Sequence, residues 1–306
     1  MAGDEAAPNI MQKLTGKVAV ITGAASGIGR ALALKLAEEG MHVIAADIAP
    51  DELDTLSASS QRIQAVVLDV TDSLACQSLA ERIFTQHGSV HLLINNAGVI
   101  GRFAPIWDQD PDDWNWMLSV NVLGVANMLR AFVPAMREQG EAAHIVNTAS
   151  EAAFAARAFV GVYHASKHAV LAMTETLAQE LEFDHASIRV SVLCPGGVNT
   201  RVLESERNRP HSATLSRPSP PEAAALRANY ATNLADAMPP ETVADVVIDG
   251  IKHDRFYLLP HPEVATLPQA RADAVARDEY PKLNPRMAER LRESRTHENN
   301  PPTAQN

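Results

Sequence analysis

Short, nearly all-apolar runs alternate with longer amphipathic stretches along most of the chain. Lys17-Val18-Ala19-Val20-Ile21-Thr22 ends at a glycine and has the pattern of a strand buried on both faces. Similar runs predict strands at His42 to Asp47, Ile63 to Asp69, His91 to Asn95, His144 to Thr148, Ile188 to Leu193 and Phe256 to Leu259. Between them, helices are expected at Arg30 to Glu39 (stopped by Gly40), Glu52 to Ser57 and Ser73 to His87 (closed by Gly88). Further helices are expected at Pro111 to Arg137, with irregularities at Gly124 and Pro134, at Val162 to Glu182, and at Glu241 to Lys252. Strands alternating with helices, several strands being apolar throughout, predict an α/β fold. The expected form is a doubly wound parallel sheet with helices on both faces.

The texture changes after Pro195. Residues 201–240 are rich in Pro, Ser, Arg and Asn, with an Ala-rich, helix-compatible stretch at Pro221 to Asn233. A long connection directly after a strand end reads as a lid over a site. Pro262 to Arg295 reads as a charged, Pro-interrupted helical extension. The expected organisation is therefore a loose arm over 1–14, one domain over 15–260, a helical extension over 261–296 and a disordered tail over 297–306.

Hydrophobic residues make up 46% of 306 and charged residues 21%, enough for a full core. The net charge of −11 argues against nucleic acid and anionic membrane surfaces as partners. Cys76 and Cys194 are the only cysteines, so a disulfide scaffold is excluded and a reducing cytoplasm suits the chain. The acidic N-terminus lacks an apolar signal region, and no uninterrupted apolar run approaches the ~18 residues of a membrane span. A soluble, cytoplasmic protein is expected.

Two local patterns carry chemistry. Gly23, Gly27 and Gly29 stand between the first strand and the first helix, in a G-x-x-x-G-x-G spacing. Glycines there permit a tight turn, and the helix N-terminus that follows can face a pyrophosphate, although such a turn can also be a plain connection. Asp47 ends the second strand, where a carboxylate accepts from adenosine ribose hydroxyls and repels a 2′-phosphate. Ser26 and Ile48 supply no compensating cation, so NAD is expected over NADP; the alternative is a cap or turn role for Asp47. The second pattern is Tyr163 and Lys167, four apart on one helix face. An ammonium beside a phenol favours the phenolate and is expected to lower its pKa.

Together with these, several ordered segments resemble the short-chain dehydrogenase/reductase family in its NAD-preferring form, from about Lys17 to Leu259. Thr22-Gly23-x-x-x-Gly27-Ile28-Gly29 resembles the family's cofactor turn, with Ser26 inside it. Asp69-Val70 is similar to its adenine-contacting pair, Asn95-Asn96-Ala97-Gly98 to the segment steadying the central strands, and Pro195-Gly196-Gly197-Val198-Asn199-Thr200 to the stretch holding the nicotinamide. Asn121, Ser150, Tyr163 and Lys167 fall where the family carries its catalytic tetrad, Ser150 thirteen residues before Tyr163. Ala149 replaces a serine common in the family, and the tail is longer than its minimum. The run from Phe256 to Glu263 is similar to a tail in a subset that includes the lignin Cα-dehydrogenases.

The resemblance implies a Rossmann-type catalytic domain and hydride transfer between NAD and a secondary alcohol or ketone. Tyr163 is then the acid or base, and Lys167 tunes it and binds the nicotinamide ribose. Ser150 bonds the substrate oxygen, and Asn121 holds a water linking Lys167 to solvent. A homodimer or homotetramer through the helices bearing Asn121 and Tyr163 is expected. Phe154, Phe159 and Leu203 are the candidate substrate pocket, with Val160, Val202, Ile100 and Phe103 near it. This lining suits an aryl, steroid or terpenoid-like alcohol. A sugar or polyol dehydrogenase is the alternative, and a non-catalytic NAD(H)-sensing protein a further one. His164 and His168 read as surface or interface residues, Cys194 as a buried apolar residue, and Trp107, Trp114 and Trp116 as structural. Arg157, Arg201, Arg207 and Arg209 read as solvated loop charges, though they can also clamp an anion.

Overall fold

The computed structural model describes residues 11–210, 217–283 and 288–289. Its seven strands are β1 (Val18–Thr22), β2 (His42–Asp47), β3 (Ile63–Val67), β4 (Leu92–Asn95), β5 (Ala143–Thr148), β6 (Ile188–Leu193) and β7 (Tyr257–Leu258). They form one parallel sheet in the order β3-β2-β1-β4-β5-β6-β7. Val20 of β1 lies between Ile44 of β2 and Leu93 of β4. The strand order reverses on either side of β1, so a crevice opens beyond the carboxyl ends of β1 and β4.

The helices are α1 (Gly27–Glu38), α2 (Pro50–Ser57), α3 (Ser73–His87), α4 (Pro111–Leu118), α5 (Gly124–Glu138), α6 (Gly161–Phe183), α7 (Pro221–Ala235), α8 (Pro240–Lys252) and α9 (Leu267–Ala276). Alternation along β1 sends Ala19 and Ile21 to one face, among Leu32, Leu36 and Val247, and Val18 and Val20 to the other, among Ile83 and Phe132. Both faces are covered, which is why this strand is apolar from Val18 to Ile21.

Three expectations change. Residues 1–10 of the expected arm lie outside the described residues, but Met11 and Leu14 are buried in the core, where their apolar side chains join the cluster of Leu32, Leu36 and Val247. The long helix expected from Pro111 is interrupted by a π-helical turn at Ser119–Leu123 rather than at Pro134, which sits inside α5. Among the described residues the extension is helical at Pro262–Thr266, a 3₁₀ turn, in α9 and at 288–289, with residues 279–283 irregular; the rest of its reading, and the tail over 297–306, fall outside the described residues.

Taken as one piece, the helical stretch 111–138 is long and apolar enough to cross a membrane by length and composition, with a mean hydropathy of 1.4 in its most apolar window. Counting only uninterrupted apolar runs missed it. Its Met128, Phe132 and Met136 are buried against the sheet and α3, the packing of a core helix.

Candidate active site

The turn after β1 is shaped by its glycines. Gly23 and Gly27 have φ of +66° and +52°, a region costly for side-chain-bearing residues. A Cβ on Gly29 would lie 2.1 Å from the Gly23 carbonyl oxygen, so α1 can approach the strand this closely only with glycine there. Ser26, at the N-cap of α1, makes no side-chain cap, which leaves the first N–H groups of the helix directed at the cleft. Asp47 Oδ2 accepts from Ala25 N–H at 2.9 Å and Oδ1 from Ala49 N–H at 3.2 Å. The carboxylate thus does hold turns, as its alternative reading required, and it also lines the cleft.

Thr22, which opens the segment resembling the family's cofactor turn, locks β1 to β4. Its Oγ1 accepts from Asn96 N–H (3.0 Å) and Ala97 N–H (3.1 Å), while Asn96 Nδ2 donates to the Thr22 and Gly23 carbonyls at 3.1 and 3.2 Å. The cleft runs along the strand ends. Gly23 and Ser26 line it from the turn after β1 and Gly27 and Ile28 from α1, Asp47, Asp69 and Val70 from β2 and beyond β3, and Asn96, Ala97 and Gly98 from beyond β4. Ser150, Tyr163, Lys167, Pro195, Gly196, Val198 and Thr200 complete it. Asp69 turns its own loop through Thr71, whose N–H and hydroxyl donate to it at 2.9 and 2.8 Å, and Asn127 Nδ2 donates to the Val70 carbonyl at 2.9 Å.

At the far end stand the reactive side chains. Lys167 is buried (4% exposed), and its Nζ donates to the Thr148 carbonyl at 2.9 Å. Burial pushes its amine down to about 8. Burial raises the Tyr163 phenol above its ordinary value, and the hydrogen bond with Ser150 pulls it partly back. The expectation that Lys167 lowers the phenol's pKa is therefore not met here. Desolvation is the largest influence on the phenol, and the ammonium stands 5.7 Å from the ring centre. Ser150 accepts from Ala152 N–H at 3.1 Å.

Asn121 lies in the π turn, 1% exposed and off the cleft wall. Its Oδ1 accepts from Val99 N–H (2.8 Å), and its Nδ2 donates to the Val99 carbonyl (2.9 Å) and Ser166 Oγ (3.0 Å). Both amide hydrogens are thus committed to the polypeptide, so the expected water has no N–H left to meet on this side chain.

The three candidate pocket residues are not brought to the cleft. Phe154 follows the 3₁₀ turn Glu151–Ala153 and is buried behind Ser150 with Cys194 and Val264. Phe159 (φ +70°) and Leu203 pack instead with Phe103, Val160 and α7 residues Ala223 and Leu226. An apolar wall forms elsewhere: Val99 and Trp116 line the cleft and pack with Tyr163. Trp116 was expected to be structural; its spacing before Asn121 was the signal available.

His164 is buried, not superficial, and its Nδ1 bonds the Ala152 carbonyl at 3.0 Å; His168 meets Arg271 of α9. Arg157 pairs with Glu151 at 3.0 Å and Arg201 with Glu204 at 2.8 Å. Arg207 donates to the Arg201 carbonyl at 3.1 Å. Arg209, only 6% exposed, pairs with buried Asp113 at 2.7 Å and stacks 5.2 Å over Trp116, so it is no solvated charge.

A glycine cradle that a Cβ would fill, open helix N–H groups and carboxylates at the far strand ends together fit a dinucleotide. The short chain dehydrogenase family model matches residues 17–211. A 1-deoxy-11-beta-hydroxypentalenate dehydrogenase of Streptomyces avermitilis is 37% identical over 256 residues, 81% of this chain and 86% of the relative. A C alpha-dehydrogenase of a Sphingobium species is 30% identical over 258 residues, 83% of each chain. The crystal structure of a short chain dehydrogenase/reductase from Burkholderia phymatum, in complex with NAD, superposes with a TM-score of 0.85 at 38% identity, covering 89% of this chain and 98% of that one. The fold, the turn after β1 and these likenesses converge: the chain belongs to the short-chain dehydrogenase family of oxidoreductases.

Proposed function

We propose that the protein interconverts a hydrophobic secondary alcohol and its ketone with NAD. The observation that carries the reading is Tyr163, which lines the cleft beside Ser150 and Lys167 and packs against the Val99–Trp116 wall. An apolar wall beside a single acid–base group suits an aryl, steroid or terpenoid-like carbinol better than a polyol. The named relatives support this, since one is a hydroxypentalenate dehydrogenase and another a C alpha-dehydrogenase.

Asp47, facing the cleft with no basic residue at Ser26 or Ile48, supports NAD over NADP, as does the NAD held by the Burkholderia relative. The α1 N-terminus would hold the pyrophosphate, Asp47 the adenosine ribose, Asp69-Val70 the adenine and Pro195–Thr200 the nicotinamide. Bound there, the nicotinamide supplies the acceptor or donor of hydride. Tyr163 takes the hydroxyl proton in oxidation and returns it in reduction. Ser150 donates to the substrate oxygen as charge develops on it. Lys167, anchored through Thr148, stands beside the phenol with donors to spare for a ribose hydroxyl. The reading extends to a homo-oligomer assembled through α5 and α6, near which Leu123 and Phe183 stand exposed; sedimentation tests it.

The experiment is a Tyr163→Phe variant assayed by NADH absorbance against aryl, terpenoid, steroid and polyol alcohols. Turnover is expected to fall about 10²–10⁴-fold with NADH binding retained. Undiminished turnover would sink the mechanism. Wild-type activity confined to polyols, or to NADP, would sink the substrate or cofactor assignment.

A further inference from the structure

The segment after β6 is tied down at both ends. The Pro195 carbonyl accepts from Glu151 N–H at 2.8 Å and from Ser150 Oγ at 3.4 Å. At the other end Asn199 N–H donates to the Met238 carbonyl at 3.0 Å, and its Nδ2 to the Ala235 carbonyl at 3.0 Å. Between these anchors, the Gly196-Gly197 unit has no side chains of its own to hold it.

One imidazole spans that gap. His261, at the head of the C-terminal extension, accepts from Gly196 N–H through Nδ1 at 3.1 Å and reaches the Gly197 carbonyl through Nε2 at 2.9 Å. Because Nδ1 faces an N–H and Nε2 faces a carbonyl, the ring is the neutral tautomer carrying its proton on Nε2. The contact is close: a Cβ on Gly196 would lie 3.1 Å from His261 Cγ, so glycine is what lets the ring in. The backbone that carries the ring is itself fixed. Val264 N–H donates to the His261 carbonyl at 3.0 Å, and Val264 is buried with Ala149, Phe154 and Cys194 behind Ser150.

We infer that His261 is a positioning residue that sets the orientation of the Gly196-Gly197 peptides and through them the nicotinamide wall of the cleft. The C-terminal extension thereby completes the cofactor site of its own chain, although it lies beyond the matched family segment, which ends at residue 211. The inference rests on the reading of Pro195–Thr200 as the nicotinamide wall. A residue that only filled space here would be replaceable by any group of similar volume. A residue that orients peptides has to keep an acceptor for Gly196 and a donor for Gly197.

The test uses the full chain and its His261→Ala, His261→Asn and His261→Gln variants. NADH affinity is read by fluorescence titration, melting is followed without NADH, and KM is measured for NAD and for the alcohol. An Asn amide oxygen reaches the place of Nδ1, and a Gln amide nitrogen that of Nε2, so each keeps one of the two hydrogen bonds. The Ala variant is expected to bind NADH about tenfold more weakly, with Asn and Gln in between. The KM for NAD should rise more than that for the alcohol. A folded Ala variant with wild-type NADH affinity overturns the inference, as do Asn and Gln variants no better than Ala. If Ala does not fold, Asn and Gln decide: wild-type affinity in both overturns it, and weakened affinity in both supports it. Wild-type protein that binds neither NADH nor NADPH would instead overturn the cofactor reading and this inference with it.

Discussion

Lys167 Nζ donates to the main-chain carbonyl of Thr148 at 2.9 Å, which ties a cation on α6 to the last residue of β5, two positions before Ser150. The bond fixes the amine in a place where water does not reach it, and burial lowers its pKa from 10.5 to about 8. Below pH 8 the amine is charged in folded and unfolded chains alike, and the cost of burying that charge is present in full. Between about 8 and 10.5 the folded protein has released a proton that the unfolded chain keeps, so wild-type stability gains with rising pH. Lys167→Met lacks this dependence. Its stability relative to wild type should be most favourable at pH 7 and decline by pH 10, read as urea midpoints at the two values. Parallel midpoints would show that the amine is not desolvated.

Asp47 separates into two roles by substitution. Asp47→Asn keeps an acceptor for Ala25 N–H but removes the charge. The preference for NAD over NADP, as a ratio of kcat/KM values, should fall about tenfold or more, the scale of one nearby unit charge. An unchanged ratio would place the selector elsewhere.

Asp113 has 1% side-chain exposure, with Arg209 at 2.7 Å and Arg102 at 3.8 Å. It also caps α4 with Asp110. Asp113→Asn removes the buried carboxylate that Arg209 meets at 2.7 Å, and chemical denaturation should show a loss of about 3–5 kcal/mol. Because Arg209 stacks on Trp116, the KM for the alcohol should rise too. A loss below about 1 kcal/mol would mark an exposed pair.

Gly29→Ala would put a methyl carbon 2.1 Å from the Gly23 oxygen and 2.6 Å from Asn96 Nδ2. NADH binding should be lost by calorimetry.

The strands and the cradle were legible because each is a local pattern. An apolar run such as Val18 to Ile21 has one place to go, and glycines 23, 27 and 29 answer to backbone geometry. Tyr163 and Lys167 were legible for the same reason, being one helical turn apart. What escaped depends on direction or on distant partners. Phe154 sits in the right segment, but the 3₁₀ turn before it aims the ring inward. Arg209 looked like a loop charge because Asp113, its partner, lies 96 positions away. The phenol's raised pKa comes from burial, which no spacing in the sequence announces.

The π turn at Ser119–Leu123 joins α4 to α5 without ending the rod. A π turn carries one residue more than the α path it replaces, and one residue is about 100° of azimuth. Everything beyond it is therefore out of phase with everything before it. Trp116, ahead of the slip, is set toward the cleft, while Met128, Phe132 and Met136, after it, are set toward α3 and the sheet. A single rod thus keeps two clocks, and Asn121 is placed at the moment one gives way to the other.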